Sequence, residues 1–222
     1  MQPAGFAGAT IVNSRTGAGR PTKAQAAAKT EALLDIARAL FCERGYAGAS
    51  IDEIADTLKW SKHTVYNRFP NKLALLEAVV DRDVERFKRS MRDAGGASGD
   101  PIDALQSIAR AYFGFSSSPS YSALYSAVAL EAATSSHLRQ KLMEWATTSL
   151  EPLRRAIEAA TPRSGWNART VEEACEILID LLDGEANRLK WSGNFASAAA
   201  VEHAFARRWQ VFALAVVPQG RW

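Results

Sequence analysis

Apolar residues recur every three or four positions through most of this chain, the spacing that keeps one face of an α-helix dry, and no segment holds the strict alternation of a half-buried strand. A first helix is predicted from Lys23 or Ala24 to Arg44, with Leu33, Leu34, Ile36, Ala37, Leu40 and Phe41 on its apolar side and Gly45 as its stop. A long helix is expected after Asn71, running to about Arg92 with Leu73, Leu76, Val80, Val84, Phe87 and Met91 inward, before the small-residue break from Ala94 to Gly99. Asp100 and Pro101 suit the N-cap and first position of a helix reaching Phe115. Two further helices read from Tyr121 to about Ala133 and from Ser136 to about Ala160, the second kinked near Ser149 and Pro152. A last pair spans about Ala168 to Trp191 and Ala196 to Val216. The fold class is therefore all-α: an N-terminal three-helix unit followed by a helical bundle, about nine helices in total.

One stretch, Ala49 to Lys72, organises the rest. Ser50 followed by Glu53 has the capping-box spacing, and Ile51, Ile54, Ala55 and Leu58 then fall on one helical face. Leu58-Lys59-Trp60 is a tight break. Ser61 caps a second short helix anchored by Val65 and Phe69. Two short helices joined by such a turn form a helix-turn-helix, whose second helix can enter the DNA major groove. Its outward positions, Lys62, His63, Thr64, Tyr66, Asn67 and Arg68, all hydrogen-bond and none is acidic. A solvated helical hairpin would also satisfy the apolar spacing, but it would not require this polar, acid-free face.

Charge supports the DNA reading. The net charge is +3, yet residues 15–72 hold ten basic against six acidic side chains, so the rest of the chain is slightly acidic. Positive charge collects where phosphate would be met. Residues 1–22 are rich in Gly, Ala, Thr and Ser and read as a flexible basic arm, with Arg20 placed to reach a minor groove. The remaining divisions are 23–72 for the helix-turn-helix domain, 73–217 for the bundle and 218–222 for a tail. No apolar run approaches the roughly 20 residues that span a bilayer, and the first residues lack a secretory leader's pattern, so a cytoplasmic protein without membrane attachment is expected. Cys42 and Cys175, far apart on helical patterns, are expected to be buried free thiols.

The residues Leu33-Leu34-Asp35-Ile36-Ala37, Phe41, Gly45-Tyr46, Ser50-Ile51-Asp52-Glu53-Ile54-Ala55, Ser61-Lys62, Thr64-Val65-Tyr66, Phe69-Pro70 and Lys72-Leu73 closely resemble the DNA-binding domain of TetR-type transcriptional regulators, over about residues 27–87. Two positions depart from the usual pattern: Lys59 and His63 stand where that family commonly has glycine. A non-glycine residue in a left-handed turn costs on the order of 1 kcal/mol.

The resemblance implies a homodimer on a palindromic double-stranded operator, most simply a repressor released by a small apolar or aromatic inducer. Lys62, His63, Thr64 and Asn67 are the candidates for base edges. Tyr66, Arg68 and Lys72 are expected to position phosphates, helped by the helix starts at Ser50 and Ser61. On that basis loss of Lys72 should weaken all sequences alike and flatten the salt dependence by about one unit of slope. A ligand pocket is expected among Phe87, Met91, Tyr112, Phe113, Phe115, Tyr121, Tyr125, Met143 and Trp145, although each could equally be core. The apolar stripes Val171, Cys175, Leu178, Leu182 and Val201, Phe205, Trp209, Phe212 suit burial within one chain or a C2 four-helix interface. The resemblance favours the dimer interface.

No catalytic constellation is legible. His63, His137 and His203 are scattered, with no metal-ligand spacing, nucleophile motif, glycine-rich dinucleotide fingerprint or P-loop, so neither enzyme activity nor a cofactor or metal site is expected. Two other readings stay open: a regulator gated by a protein or nucleic-acid partner, its bundle filled and without a pocket, and a ligand carrier or enzyme that keeps the fold without binding DNA.

Overall fold

The computed structural model describes residues 22–164, 170–192 and 197–216. Ten helices and no strand occur among them: α1 (Lys23–Gly48), α2 (Ile51–Leu58), α3 (Lys62–Tyr66), α4 (Lys72–Gly95), α5 (Pro101–Ser116), α6 (Pro119–Ala132), α7 (Ser136–Ser149), α8 (Glu151–Ser164), α9 (Val171–Trp191) and α10 (Ala198–Val216). The count exceeds the expected nine because the segment read as one kinked helix is two. α7 ends at Ser149, Leu150 is its C-cap, and Pro152 falls in the first turn of α8, where its missing N–H is harmless.

Helix starts follow the local chemistry that the sequence announces. The side chains of Ser61, Asn71 and Asp100 each accept backbone N–H groups at the starts of α3, α4 and α5. Ser50 also caps α2, but the box is not reciprocal: Glu53 turns to Arg44 on α1 at 2.5 Å instead. The complete capping box lies at Thr22 and Gln25, at the head of α1. Gly45 breaks the helical path with a φ of 69°, a conformation favouring glycine, three residues before α1 ends.

Two hydrophobic cores result. The first gathers Leu33, Ala37 and Phe41 of α1, Ile54 of α2, Val65 of α3 and Leu75, Leu76 and Val79 of α4, and extends to Leu124, Val128 and Ala132 of α6 and to Leu138 and Trp145 of α7. The second joins Phe87 and Met91 at the far end of α4 to α5, α8, α9 and α10, centred on Leu105, Phe113, Leu153, Ile157, Leu178 and Phe205. α4 contributes to both.

This arrangement corrects the assignment of the last two helices. Cys175, Leu178, Leu182, Phe205, Trp209 and Phe212 are buried within the single chain, and Val171 and Val201 pack against the same cluster. The apolar stripes of α9 and α10 cover α5 and α8, so six of these residues are core of the single chain and Val171 and Val201 lie half-buried at its margin. Across that core Arg208 donates to the buried Glu185 through Nε at 2.7 Å, and Arg188 joins the same carboxylate at 3.0 Å. Cys175 is a buried free thiol as expected, and burial pushes it up to about 11. Cys42 is only half-buried, near the surface between α1 and the start of α6. No helix among the described residues is long and apolar enough to cross a membrane.

Candidate DNA interface and ligand chamber

α2 and α3 are joined through Lys59, whose φ of 54° and ψ of 40° are left-handed. The turn thus has the geometry glycine usually supplies, and lysine adopts it at the steric cost of its Cβ. It is closed by Lys59 N–H donating to Asp56 O at 3.0 Å and Trp60 N–H donating to Ala55 O at 2.9 Å. Val65 pins α3 to the core with no exposure, and this decides which residues face outward.

Lys62, His63, Tyr66 and Asn67 are exposed, Tyr66 at 47%. Thr64 is half-buried, its hydroxyl 2.8 Å from that of Ser61, so this candidate base contact is committed to the cap. The Lys62 ammonium reaches back to Asp52 at 2.5 Å, held in solvent where such a pair is easily exchanged. Arg68 lies over the Trp60 ring at 5.4 Å, with its stem on the rim of the core. The Ser50 hydroxyl accepts the Asp52 N–H at the start of α2. Arg20 lies outside the described residues.

Lys72 has work that the sequence reading did not foresee. Its ammonium donates to Tyr46 O at 2.7 Å, Ala49 O at 3.0 Å and Ala47 O at 3.4 Å, and sits 4.4 Å from the centre of the Tyr46 ring. These carbonyls, freed by the break at Gly45, are what a cation at the end of a helix satisfies. Lys72 therefore ties the start of α4 to the end of α1.

The bundle holds a two-part chamber, open to solvent, beside α4 from Val80 to Phe87. An inner, apolar part of about 80 Å³ is walled by Val80, Val84, Phe87, Leu124, Val128, Leu142 and Trp145, with Asp83 at its edge. An outer part of about 410 Å³ is lined by Tyr112, Ser116, Ser122, Ser126, Asp183, Asn187 and Lys190. Phe87, Phe115, Tyr121, Tyr125, Ala146 and Ser149 line both parts. Of the expected pocket residues, Phe87, Tyr112, Phe115, Tyr121, Tyr125 and Trp145 are there. Met91 and Phe113 are sealed in the second core, against α5 and α10, and Met143 points to solvent at 68% exposure; these three are corrected.

What sequence reasoning missed is the chamber's polar framework. Asp83 is only 9% exposed and is held by Arg38 of α1. Its signal was an acid inside an apolar stripe, four residues before Phe87 and three after Val80. Trp145 donates its indole N–H to Asp81 at 2.6 Å, and His137 Nε2 lies 2.6 Å from Glu77, so two contacts fasten α7 to α4. Tyr112 donates its hydroxyl to Asp183 at 2.9 Å. Burial pushes Tyr112 well above the usual phenol range and, with the nearby Asp183 charge adding to it, Tyr121 up to about 12; both stay protonated. No group of His, Cys, Asp and Glu side chains among the described residues could hold a metal ion.

A left-handed turn, a polar exposed α3 and a lined chamber in the bundle behind it define a helix-turn-helix protein with a separate cavity. Residues 33–79 match the family described as bacterial regulatory proteins, tetR family. Over 83 residues, 37% of this chain, it is 37% identical to the transcriptional activator FasR of Mycolicibacterium smegmatis, and over 82 residues, also 37% of the chain, it is 32% identical to the transcriptional repressor TetR of Mycobacteroides abscessus. These matches span only 38% and 43% of the two relatives' lengths. The fold extends further: a TetR-family regulator structure from Mesorhizobium loti superposes with a TM-score of 0.76 at 22% identity, covering 89% of this chain and 100% of that one. The helix-turn-helix segment, residues 33–79, thus matches the tetR family, and the likeness of the remaining helices is one of fold.

Proposed function

We propose that this chain is a homodimeric, sequence-specific transcriptional regulator of the cytoplasm, a repressor that leaves a palindromic operator when a small molecule with apolar or aromatic character fills the chamber. One observation carries the reading. Leu124, Val128 and Trp145, which wall the inner chamber, belong to the same hydrophobic core as Val65, the residue that seats α3. A ligand that displaces α6 or α7 therefore acts on the packing that positions the DNA-reading helix, which is what ligand-dependent release requires.

Lys62, His63 and Asn67 supply base readout, while Tyr66 and Arg68 face phosphate, and the N-terminal arm with Arg20 adds a minor-groove contact. The dimer uses the outward side of α9 and α10, where Trp191 is 85% exposed and Leu214 56%, since the inward stripes are consumed by the chain's own core. No cofactor is needed for this activity. The two relatives named above are an activator and a repressor, so both signs of control occur among related DNA-binding domains.

Selecting bound duplexes from a random library with the purified protein tests the reading. The expected result is a palindrome whose half-sites lie about one turn of DNA (roughly 34 Å) apart or more. Asn67→Ala should then relax one base position at a cost of about 1–3 kcal/mol. Failure to bind any duplex at low salt would favour a ligand carrier that has kept the fold.

A further inference from the structure

We infer that the molecule taken by this chamber is an organic cation: a protonated amine or quaternary ammonium on an apolar body, with its head against Asp183 and the surrounding tyrosines. The inference rests on the ligand-chamber reading above and names the ligand class.

Two carboxylates of the bundle, Asp83 and Glu185, are buried and Asp183 is half-buried, and they differ in their partners. Asp83 has Arg38, and Glu185 has Arg208 and Arg188. Asp183, half-buried in the lining of the outer chamber, accepts one hydrogen bond, from Tyr112, and among the described residues no Lys, Arg or His comes within ion-pair distance of it. Burial pushes its carboxyl above the usual range while the Tyr112 bond pulls the other way. A carboxylate partly withdrawn from water and without an ion-pair partner is stabilised by a cation brought beside it, and this site is furnished for one. Lys190 lines the same chamber but is exposed, about 10 Å further along α9 by helical rise, and water already solvates it.

The walls agree. Phe87 and Tyr112 lie 5.7 Å apart between ring centres, Phe87 and Phe115 4.1 Å, Phe115 and Tyr121 4.7 Å, and Tyr121 and Tyr125 6.1 Å. These rings line the outer part together, and a ring face open to it attracts an ammonium or its methyl groups more than a neutral head of equal size. The apolar part beyond Phe87 then takes the body of the molecule. A carboxylate-headed ligand would have to place its charge beside Asp183, where like charges repel.

Three probes with one body separate the possibilities: 4-phenylbutylamine, 4-phenylbutan-1-ol and 4-phenylbutanoate at neutral pH, titrated into the full chain by calorimetry, with the melting temperature as a second readout. The amine is expected to bind about tenfold or more tighter than the alcohol, and the acid weakest. Asp183→Asn, which keeps an acceptor for Tyr112, should remove the amine's advantage and leave the alcohol unchanged; Lys190→Ala should change neither. Equal binding of amine and alcohol, or an advantage that survives Asp183→Asn, overturns the cation while leaving an apolar chamber in place. Preferred binding of the acid, lost in Lys190→Ala, overturns it in favour of an anion. No binding by any probe up to millimolar concentration overturns both the chamber reading and this inference.

Discussion

The two hydrophobic cores of this chain are divided differently from its two tasks. The core that seats α3 also takes in α6 and α7, which wall the inner chamber, while the other core, built on α5, α8, α9 and α10, meets the chamber through Phe87 of α4, Tyr112 of α5 and Ala186 of α9. The chamber therefore lies at a seam. A ligand there need not transmit anything across a rigid body, because it enters between two packed bodies and can change how they meet. α4 is the element common to both, and Arg38–Asp83 is an ionic clasp at the same seam.

The largest way to break this comparison is to damage one core alone. Glu185→Ala strands Arg208 between α9 and α10 and should cost about 3–5 kcal/mol. Calorimetry should show the bundle melting early, with the α1–α4 unit giving a later transition; one sharp transition displaced as a whole would mean that the cores are a single cooperative unit. Asp83→Asn acts on the seam and should cost about 2 kcal/mol through the stranded Arg38. An operator-driven reporter should then need more inducer or less, whereas unaltered dose dependence would remove the clasp from the coupling.

Smaller effects sharpen the account of the DNA-binding unit. Lys72→Ala takes a charged donor from three carbonyls and should lower stability by about 1–2 kcal/mol. If those carbonyls are its partners in the complex too, the salt dependence of DNA binding keeps its slope; a slope reduced by about one unit would return Lys72 to the phosphates. Lys59→Gly relieves a left-handed lysine and should stabilise by somewhat under 1 kcal/mol, since glycine also frees the unfolded chain. A loss of stability would show that the lysine side chain makes a compensating contact.

The helix-turn-helix was legible nearly residue by residue because its signals are local. Ser50, Ser61 and Asn71 each cap the helix that begins at the next residue, and Val65 can be buried in only one orientation of so short a helix. The bundle was legible as helices but not as surfaces. Leu178, Phe205 and Trp209 belong to stripes that look the same whether they cover a neighbouring helix or a second copy, and periodicity does not record which partner is at hand. Met91 and Met143 show the same limit, one sealed and the other in water, since their helices turn in ways set by distant contacts. Lys72 was read only in part for a related reason: a lysine beside a DNA-reading motif suggests phosphate, and only the break at Gly45 reveals the carbonyls that it also meets.

The bond from Lys72 to the end of α1 sets the scale of the switch. With that joint closed, α1 to α3 and the first turn of α4 move as one piece, and the distance from Lys72 to Phe87 becomes the arm on which that piece swings, about 22 Å at 1.5 Å per residue. A rotation of about 5° at the chamber end displaces the start of α4 by about 2 Å on such an arm. In a symmetric pair the two displacements add, so the reading helices part or close by about 4 Å against a DNA repeat of roughly 34 Å. Under the proposed function, a ligand-driven rotation of this size would change the spacing offered to the two half-sites by about a tenth.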